Sequence, residues 1–188
     1  MVKSIQKQLG SLLLKMTGWT VEGSYPDRQS IIIVAPHTSN WDFIYFLFLC
    51  MKWEKLGSVM WIGKHTLFRG PFKSILTAMG GKPVNRKKNN NIIRIVTNHL
   101  KDDPSMCFAL APEGTRSYTN HWKKGFYRMA QRSGLPIAFA FIDFKDRRIG
   151  IGPSLDVTGD QEQDWDVIRN FYRKEWAAYP DQFSDMRY

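Results

Sequence analysis

Hydrophobic residues along the chain form two kinds of segment, short runs of β-branched or aromatic residues and longer stretches with helical spacing. The short runs predict strands at residues 31–35, 58–62, 83–85, 106–111, 136–142 and 148–151. The longer stretches predict helices at residues 3–17, 40–53, 70–79, 89–101, 123–133 and 162–178. Because strands alternate with helices, we expect a single-domain α/β sandwich with a mostly parallel or mixed sheet flanked by helices.

The first predicted helix is amphipathic and basic. Its apolar positions form one stripe, Ile5, Leu9, Leu12, Leu13, Met16 and Trp19, flanked by Lys3, Lys7 and Lys15. Such a helix can dock on its own domain, or it can lie in a membrane interface with its lysines toward anionic headgroups. We therefore separate an N-terminal helical segment, residues 1–20, from the main domain, residues 21–188.

Composition narrows the class of protein. A chain of 188 residues can form one full core, and no linker rich in Pro, Gly or Ser divides it. The 27 Lys and Arg against 17 Asp and Glu give a formal net charge of +10, which favours an anionic partner such as nucleic acid, a phosphorylated substrate or an acidic lipid surface.

Cys50 and Cys107 stand far apart in apolar surroundings, so we expect a reducing cytoplasm and neither a disulfide framework nor a zinc site. The longest apolar stretch, residues 43–51, is too short to cross a bilayer, and we expect no secretory signal.

A histidine and an aspartate follow the first strongly apolar strand. His37 comes just after residues 31–35, and Asp42 stands five residues later, near the start of a helix for which Asn40 is the predicted N-cap. In such a turn the carboxylate can reach one imidazole nitrogen and leave the other to act as a base. The spacing alone also occurs by chance. The rival uses are a metal site, for which no second His or Cys stands at ligand spacing, and a serine hydrolase, for which no Gly-x-Ser-x-Gly turn exists.

Three loops after predicted strands carry groups suited to an anion. The segment 113–116, Glu-Gly-Thr-Arg, combines a glycine turn with a guanidinium that can bind an oxyanion through two N–H groups. The other two loops carry Lys64 with Arg69, and Arg86. Each loop alone is typical of a solvated surface turn. Because loops at strand ends of α/β folds lie near one another, the three can converge on one anion such as phosphate.

Taken in order, these segments resemble the glycerolipid acyltransferases typified by 1-acyl-glycerol-3-phosphate acyltransferase. The matching segments are a His-x4-Asp block at residues 37–42, Lys-x-x-Leu-x-x-x-Pro at 64–71, Gly-x-x-x-x-Arg at 81–86 and Pro-Glu-Gly-Thr-Arg-Ser at 112–117. Residues 135–139 are similar to a fourth family motif, although Phe139 stands where a second proline is usual. The resemblance covers about residues 31–141.

The resemblance implies a role for each matching residue. His37 would accept the proton of a substrate hydroxyl and Asp42 would orient the imidazole, while the hydroxyl attacks the carbonyl of an acyl thioester. Arg86 would lead the binding of the acceptor's phosphate. The implied substrate-binding residues are Lys64, Arg69, Arg86, Glu113, Gly114, Thr115 and Arg116. No metal and no cofactor is implied beyond the co-substrate, an acyl-coenzyme A or acyl-carrier-protein thioester.

The expected function is transfer of a fatty acyl group to the free hydroxyl of a lysophospholipid, with 1-acyl-sn-glycerol-3-phosphate as acceptor and phosphatidate as product. The alternatives are another lysolipid acceptor, such as a lyso-ornithine lipid, and a non-catalytic module that binds anionic lipid on the same scaffold. Expected partners are the two substrates, acyl-carrier protein and an anionic membrane surface, with peripheral attachment to the inner face of the cytoplasmic membrane. Nucleic acid is not expected, because no nucleic-acid motif accompanies the positive charge.

Two further apolar stripes predict core packing. One lies on the helix after His37, and the other lies near the C-terminus. Their members are Phe43, Phe46, Leu47 and Cys50, and Trp165, Ile168, Tyr172, Trp176 and Tyr179. The first stripe can also line a groove for an acyl chain.

Overall fold

The computed structural model describes residues 2–70, 72–84 and 92–188, and every structural statement below refers to them. The helices are α1 Val2–Met16, α2 Asn40–Lys52, α3 Phe72–Ala78, α4 Ile92–Asp102, α5 Gly125–Ser133 and α6 Gln161–Phe171. The strands are β1 Thr20–Gly23, β2 Ile31–Ala35, β3 Val59–Lys64, β4 Gly81–Val84, β5 Cys107–Leu110, β6 Ile137–Asp143 and β7 Arg148–Leu155. Arg86, at the centre of the predicted phosphate site, lies outside the described residues, as do Pro71 and the predicted strand and helix positions 85 and 89–91.

Within the described ranges, seven strands form one sheet in the order β1-β7-β6-β2-β5-β3-β4. All neighbouring pairs are parallel except β6 and β7. This confirms the predicted α/β class with a mostly parallel sheet. The strands β2, β5, β3 and β4 are successive neighbours that run in one direction, so the loops that leave them begin at the same edge of the sheet.

The central strand β2 is buried on both faces. Ile31 and Ile33 point into one core together with residues of α4, α5 and α6, while Ile32 and Val34 point into the other with residues of α1 and α2. The continuous apolar run at 31–34 therefore reflects a strand covered by helices on each side. The molecule has three layers, helix, sheet and helix.

Helix α1 packs against α2 and also keeps an apolar face in solvent. At the crossing, a Cβ built on Gly10 would lie 2.5 Å from the backbone N of Lys52 and 2.7 Å from the carbonyl O of Phe48. Leu14 and Trp19 are buried in the core beneath. The exposed apolar residues of α1 are Ile5, Leu9, Leu12 and Met16. Among the described residues, no helix is both long and apolar enough to span a bilayer.

Three local expectations are wrong. The N-cap of α2 is Ser39 and not Asn40, because the Ser39 hydroxyl accepts from the Trp41 N–H and Asp42 completes a capping box. The last helix ends at Phe171, where Tyr172 turns to extended backbone and its buried hydroxyl donates to the carbonyl of Ile33 at 3.0 Å. The stripe predicted beyond it is therefore not α-helical, since only a short 3-10 helix, Lys174–Trp176, follows, and Tyr179 is exposed.

Strand β1 is also missing from the expectations. It is a four-residue edge strand that is largely exposed, so it lacks the buried apolar run from which the other strands were predicted. It pairs in parallel with β7 and places Trp19, which precedes it, against the side chains of α2.

Candidate active site

His37 and Asp42 are in direct contact where β2 passes into α2. The His37 Nδ1 lies 3.0 Å from the Asp42 Oδ2, and the same oxygen accepts a 2.8 Å hydrogen bond from the Ser39 backbone N–H. Because the carboxylate oxygen serves as an acceptor, the imidazole donates from Nδ1 and keeps a free electron pair on Nε2. The His37 side chain is 25% exposed and that of Asp42 only 2%, so the imidazole is reachable from solvent while the carboxylate is enclosed.

The start of α2 holds this pair in place. Asp42 is the third residue of the helix and closes the capping box with Ser39, so the interaction that starts the helix also fixes the carboxylate. On the other side of the loop, the Thr38 hydroxyl accepts from the Tyr179 N–H at 3.2 Å. The loop that carries His37 is therefore anchored both to α2 and to the C-terminal segment.

Glu113 contacts the same loop from the end of β5. Its Oε1 accepts a 3.1 Å hydrogen bond from the His37 backbone N–H, although the two residues are 76 positions apart in sequence. The residue is only 2% exposed. Burial raises the pKa of Glu113 to about 8, the His37 N–H opposes this rise and the charge of Asp42 adds to it. Near neutral pH the Glu113 carboxyl is therefore largely protonated.

A cavity of about 370 Å³ opens beside His37. Its polar part includes His37, Asp42, Gly114 and Lys123. The remaining wall is mainly apolar and includes Val34, Phe46, Trp61, Ile93, Phe108 and Met129. This volume falls in the range of small-molecule pockets, about 300–1,000 Å³, and the lining suits a ligand with a long apolar part.

The stripe on α2 is divided between the cavity and the core. Phe43 and Phe46 line the cavity, and Phe46 together with Leu47 and Cys50 is buried. The predicted core packing therefore occurs, and the same helix face also lines a cavity, whose use by an acyl chain stays a prediction.

The predicted binding residues separate into two groups. Gly114 lines the cavity, and Glu113 lies beneath it against the His37 loop. The exposed residues outside the described lining are Lys64, Arg69, Thr115 and Arg116. The structure thus brings Glu113 and Gly114 to the histidine and leaves these four at the surface.

Glycines near the cavity make room for its aromatic wall. A Cβ built on Gly81 would lie 2.7 Å from the Trp61 ring, and one built on Gly63 would lie 2.9 Å from the Phe68 ring. The Trp61 ring is fixed by a 2.9 Å hydrogen bond from its Nε1 to the carbonyl of Met79. The glycine of the Gly-x-x-x-x-Arg block therefore has a packing role that its sequence context did not reveal.

Lys123 is a charged lining residue that the sequence analysis does not identify. Its position at the start of a predicted helix, beside Lys124, is typical of a solvated surface, and no local pattern separates the two lysines. Only the approach of this segment to the turn at Gly114 places Lys123 at the cavity.

The chain matches the model of a known protein family and resembles a solved structure. The family model Acyltransferase matches residues 19–141, well over half of the chain. Among solved structures, the chain resembles the crystal structure of the 1-acyl-sn-glycerophosphate (LPA) acyltransferase PlsC from Thermotoga maritima, with a TM-score of 0.64 and 19% sequence identity over 90% of this chain and 76% of that chain. A search of curated proteins found no match. At that identity the structural likeness shows a shared fold, whereas the family model spans the whole His37 and Glu113 region, and the chain belongs to the Acyltransferase family.

Proposed function

We propose that this acyltransferase moves a fatty acyl group from a coenzyme A or acyl-carrier-protein thioester to the free hydroxyl of 1-acyl-sn-glycerol-3-phosphate, giving phosphatidate. The observation that carries the proposal is the 3.0 Å contact of His37 with buried Asp42 in the lining of a mainly apolar cavity. The four sequence blocks support the same acceptor, as does the similarity to the crystal structure of an LPA acyltransferase.

The chemistry follows from the orientation of the imidazole. With Nδ1–H donated to Asp42, the Nε2 of His37 takes the proton of the acceptor hydroxyl as its oxygen bonds to the thioester carbonyl carbon. The carbon–sulfur bond then breaks, and the thiolate leaves with the proton returned by His37. Asp42 stabilises the imidazolium between these two transfers. The reaction balances without a metal or redox cofactor, because the nucleophile comes from the acceptor and the leaving group from the donor.

The cavity wall suits the acyl chain. Phe43, Phe46 and Trp61 present apolar surface beside the histidine. Each methylene group that leaves water for such a surface contributes about 0.8 kcal/mol. A fatty acyl group in the cavity would therefore hold its carbonyl carbon near His37 through its own hydrophobic burial.

The proposed location is the inner face of the cytoplasmic membrane. The exposed residues Leu9, Leu12 and Met16 on α1 would enter the interface, with the exposed Lys7 and Lys15 toward anionic headgroups. Residues 1–20 would then form a membrane-contacting segment that precedes the acyltransferase domain, residues 21–188. This arrangement would bring a lysophospholipid to the domain from the bilayer.

The test is thiol release by the purified protein with acyl-coenzyme A or acyl-carrier-protein thioester and lysophosphatidate, with phosphatidate identified by mass spectrometry. We expect His37→Ala and Asp42→Asn to lower kcat by about 100-fold or more, because the first removes the base and the second its orienting charge. His121→Ala is the matched control, since His121 is exposed and outside the described cavity lining.

Unchanged thiol release in a folded His37→Ala variant would contradict the mechanism. Thiol release measured with each of the two donors and each of several lysolipids, including a lyso-ornithine lipid, tests which acceptor the protein uses. Binding of anionic lipid without turnover by any donor would favour the non-catalytic alternative.

A further inference from the structure

Lys123 lies directly across the turn that follows β5. Its backbone N–H donates a 2.8 Å hydrogen bond to the carbonyl of Pro112, so the segment before α5 is attached to this turn. The side chain passes over Gly114, where an added Cβ would lie 2.5 Å from Lys123 Nζ and 2.7 Å from Lys123 Cε. Gly114 also has a φ of +67°, a conformation that side chains disfavour. Glycine at position 114 therefore adopts the backbone conformation that the turn requires, and it also leaves space for the Lys123 side chain.

This lysine faces the same cavity as the base. Lys123, His37 and Asp42 all line it, and Lys123, which is also exposed to solvent, is the one lysine or arginine among the lining residues that the structure describes. Its neighbour Lys124 points elsewhere, with its Nζ 4.8 Å from the centre of the Tyr188 ring. The two adjacent lysines thus have different surroundings.

The Lys123 charge has no anionic partner within the described part of the chain. None of the ion pairs there includes it. The nearby Asp42 carboxylate is hydrogen-bonded to His37 and Ser39, and the Glu113 carboxyl is buried against the His37 loop. An anionic group in the cavity would therefore meet a cation that the protein itself does not neutralise.

We propose that Lys123 binds the phosphate of the acceptor lysophospholipid inside the cavity, next to His37. The inference rests on the proposed function and adds a second cation that selects a phosphorylated acceptor, besides Arg86, which the sequence resemblance implies. In 1-acyl-sn-glycerol-3-phosphate the reacting hydroxyl and the phosphate are on adjacent glycerol carbons. When the hydroxyl contacts His37, the phosphate must therefore lie only a few bonds away, within the cavity that Lys123 lines.

The experiment compares Lys123→Ala with Lys124→Ala in the full chain. We expect Lys123→Ala to raise the KM for lysophosphatidate by about tenfold or more, because a charge-assisted contact to phosphate is lost, with a smaller change in kcat. Lys124→Ala should change KM less than about threefold. The preference for lysophosphatidate over uncharged 1-acylglycerol, as a ratio of kcat/KM values, should fall in Lys123→Ala and persist in Lys124→Ala.

Equal KM values in the two variants would overturn the proposal. A fall in kcat with an unchanged KM would also overturn it, since Lys123 would then act on the transition state and not on the bound phosphate. Binding of glycerol 3-phosphate, measured by isothermal titration, separates this outcome from failure of the proposed function. Weaker binding in Lys123→Ala than in Lys124→Ala supports the phosphate site even if no thioester turns over, and equal binding contradicts it.

Gly114→Ala gives a second, independent measurement. The added methyl group would displace the Lys123 side chain only where that side chain is present, whereas the strain of a side chain at a φ of +67° acts in both backgrounds, so the effect on KM should be larger in the wild type than in the Lys123→Ala background. Equal effects in the two backgrounds would show that Gly114 acts without Lys123, and would contradict the arrangement proposed here.

Discussion

Glu113 is a carboxyl group buried in contact with the backbone of the proposed base. It is 2% exposed and accepts from the His37 N–H, and its second oxygen, Oε2, has no hydrogen-bond partner within the described residues. A buried carboxyl in this position is more stable neutral than ionised, which explains why its pKa is raised to about 8. At the scale of single residues, the site therefore includes a carboxyl group that holds the histidine loop.

The protonation of Glu113 should make stability depend on pH. Between its ordinary value of 4.5 and about 8, the folded state keeps the Glu113 proton while the unfolded state has released it. The free energy of unfolding should therefore fall as pH rises through this window, with a contribution of at most about 1.4 kcal/mol per pH unit. Glu113→Gln, which cannot ionise but can still accept from the His37 N–H, should remove this contribution.

Urea unfolding of both proteins at pH 5.5, 6.5 and 7.5 measures the effect. The stability of Glu113→Gln relative to the wild type should increase with pH. A difference that stays constant across the three values would mean that Glu113 does not carry a raised pKa in the folded state.

At the scale of elements, the attachment of α1 depends on a glycine. Gly10 allows the backbones of α1 and α2 to approach, and Leu14, one turn later, is buried in the core. Pairs of helices that approach through small residues are sensitive to a single added methyl group, because the obstructing atoms belong to the backbone and cannot rotate away.

Gly10→Ala should lower the free energy of unfolding by about 1–3 kcal/mol. The loss is expected even though alanine favours a helix over glycine by about 1 kcal/mol, since the new Cβ would stand 2.5 Å from the Lys52 N. Gly125→Ala is the matched control, because an added Cβ at the first residue of α5 meets no heavy atom within 4 Å. Thermal or urea unfolding of the two variants decides the question, and equal stability would contradict the close approach of α1 to α2.

At the scale of the whole molecule, the two outer layers present different surfaces. Helix α1 exposes Leu9 and Leu12 on one side of the sheet, and α6 lies on the opposite side with Val167 exposed. With a net charge of +10, the molecule as a whole would be attracted to an anionic bilayer, and the α1 stripe would set its orientation there.

Leu12→Glu should weaken binding to vesicles of phosphatidylglycerol and phosphatidylethanolamine by about tenfold, because a leucine side chain is lost from the interface and a negative charge is added. Val167→Glu makes the same charge change on the opposite layer and should weaken binding much less. Cosedimentation at two salt concentrations measures both, and wild-type binding should fall as salt rises. Equal losses in the two variants would mean that α1 does not set the orientation of the protein on the bilayer.

The chain sequence alone determined most elements and the pairing of His37 with Asp42. These features depend on residues that are close in sequence. A continuous apolar run predicts β2, and the helical period of apolar residues predicts α2. A short turn into a helix brings His37 and Asp42 together. The N-cap was misplaced by one residue because Ser39 and Asn40 are both good caps, and the choice depends on which hydroxyl or amide closes the box with Asp42. The last helix was predicted too long because the aromatic spacing continues past Tyr172, whose hydroxyl is tied to a carbonyl of β2.

Tertiary structure alone decided which distant groups meet at the site. Glu113 contacts the His37 loop because β5 lies beside β2 in the sheet, and the strand order is not encoded in any local pattern. Lys123 and Lys124 are equivalent in sequence, and their different surroundings, the cavity and the Tyr188 ring, arise from where their segment packs beside Pro112. The division of the α1 stripe into a buried and an exposed part likewise depends on where Gly10 meets α2. Local patterns record the energetics of residues a few positions apart, whereas these contacts arise from the packing of elements that are distant in the chain.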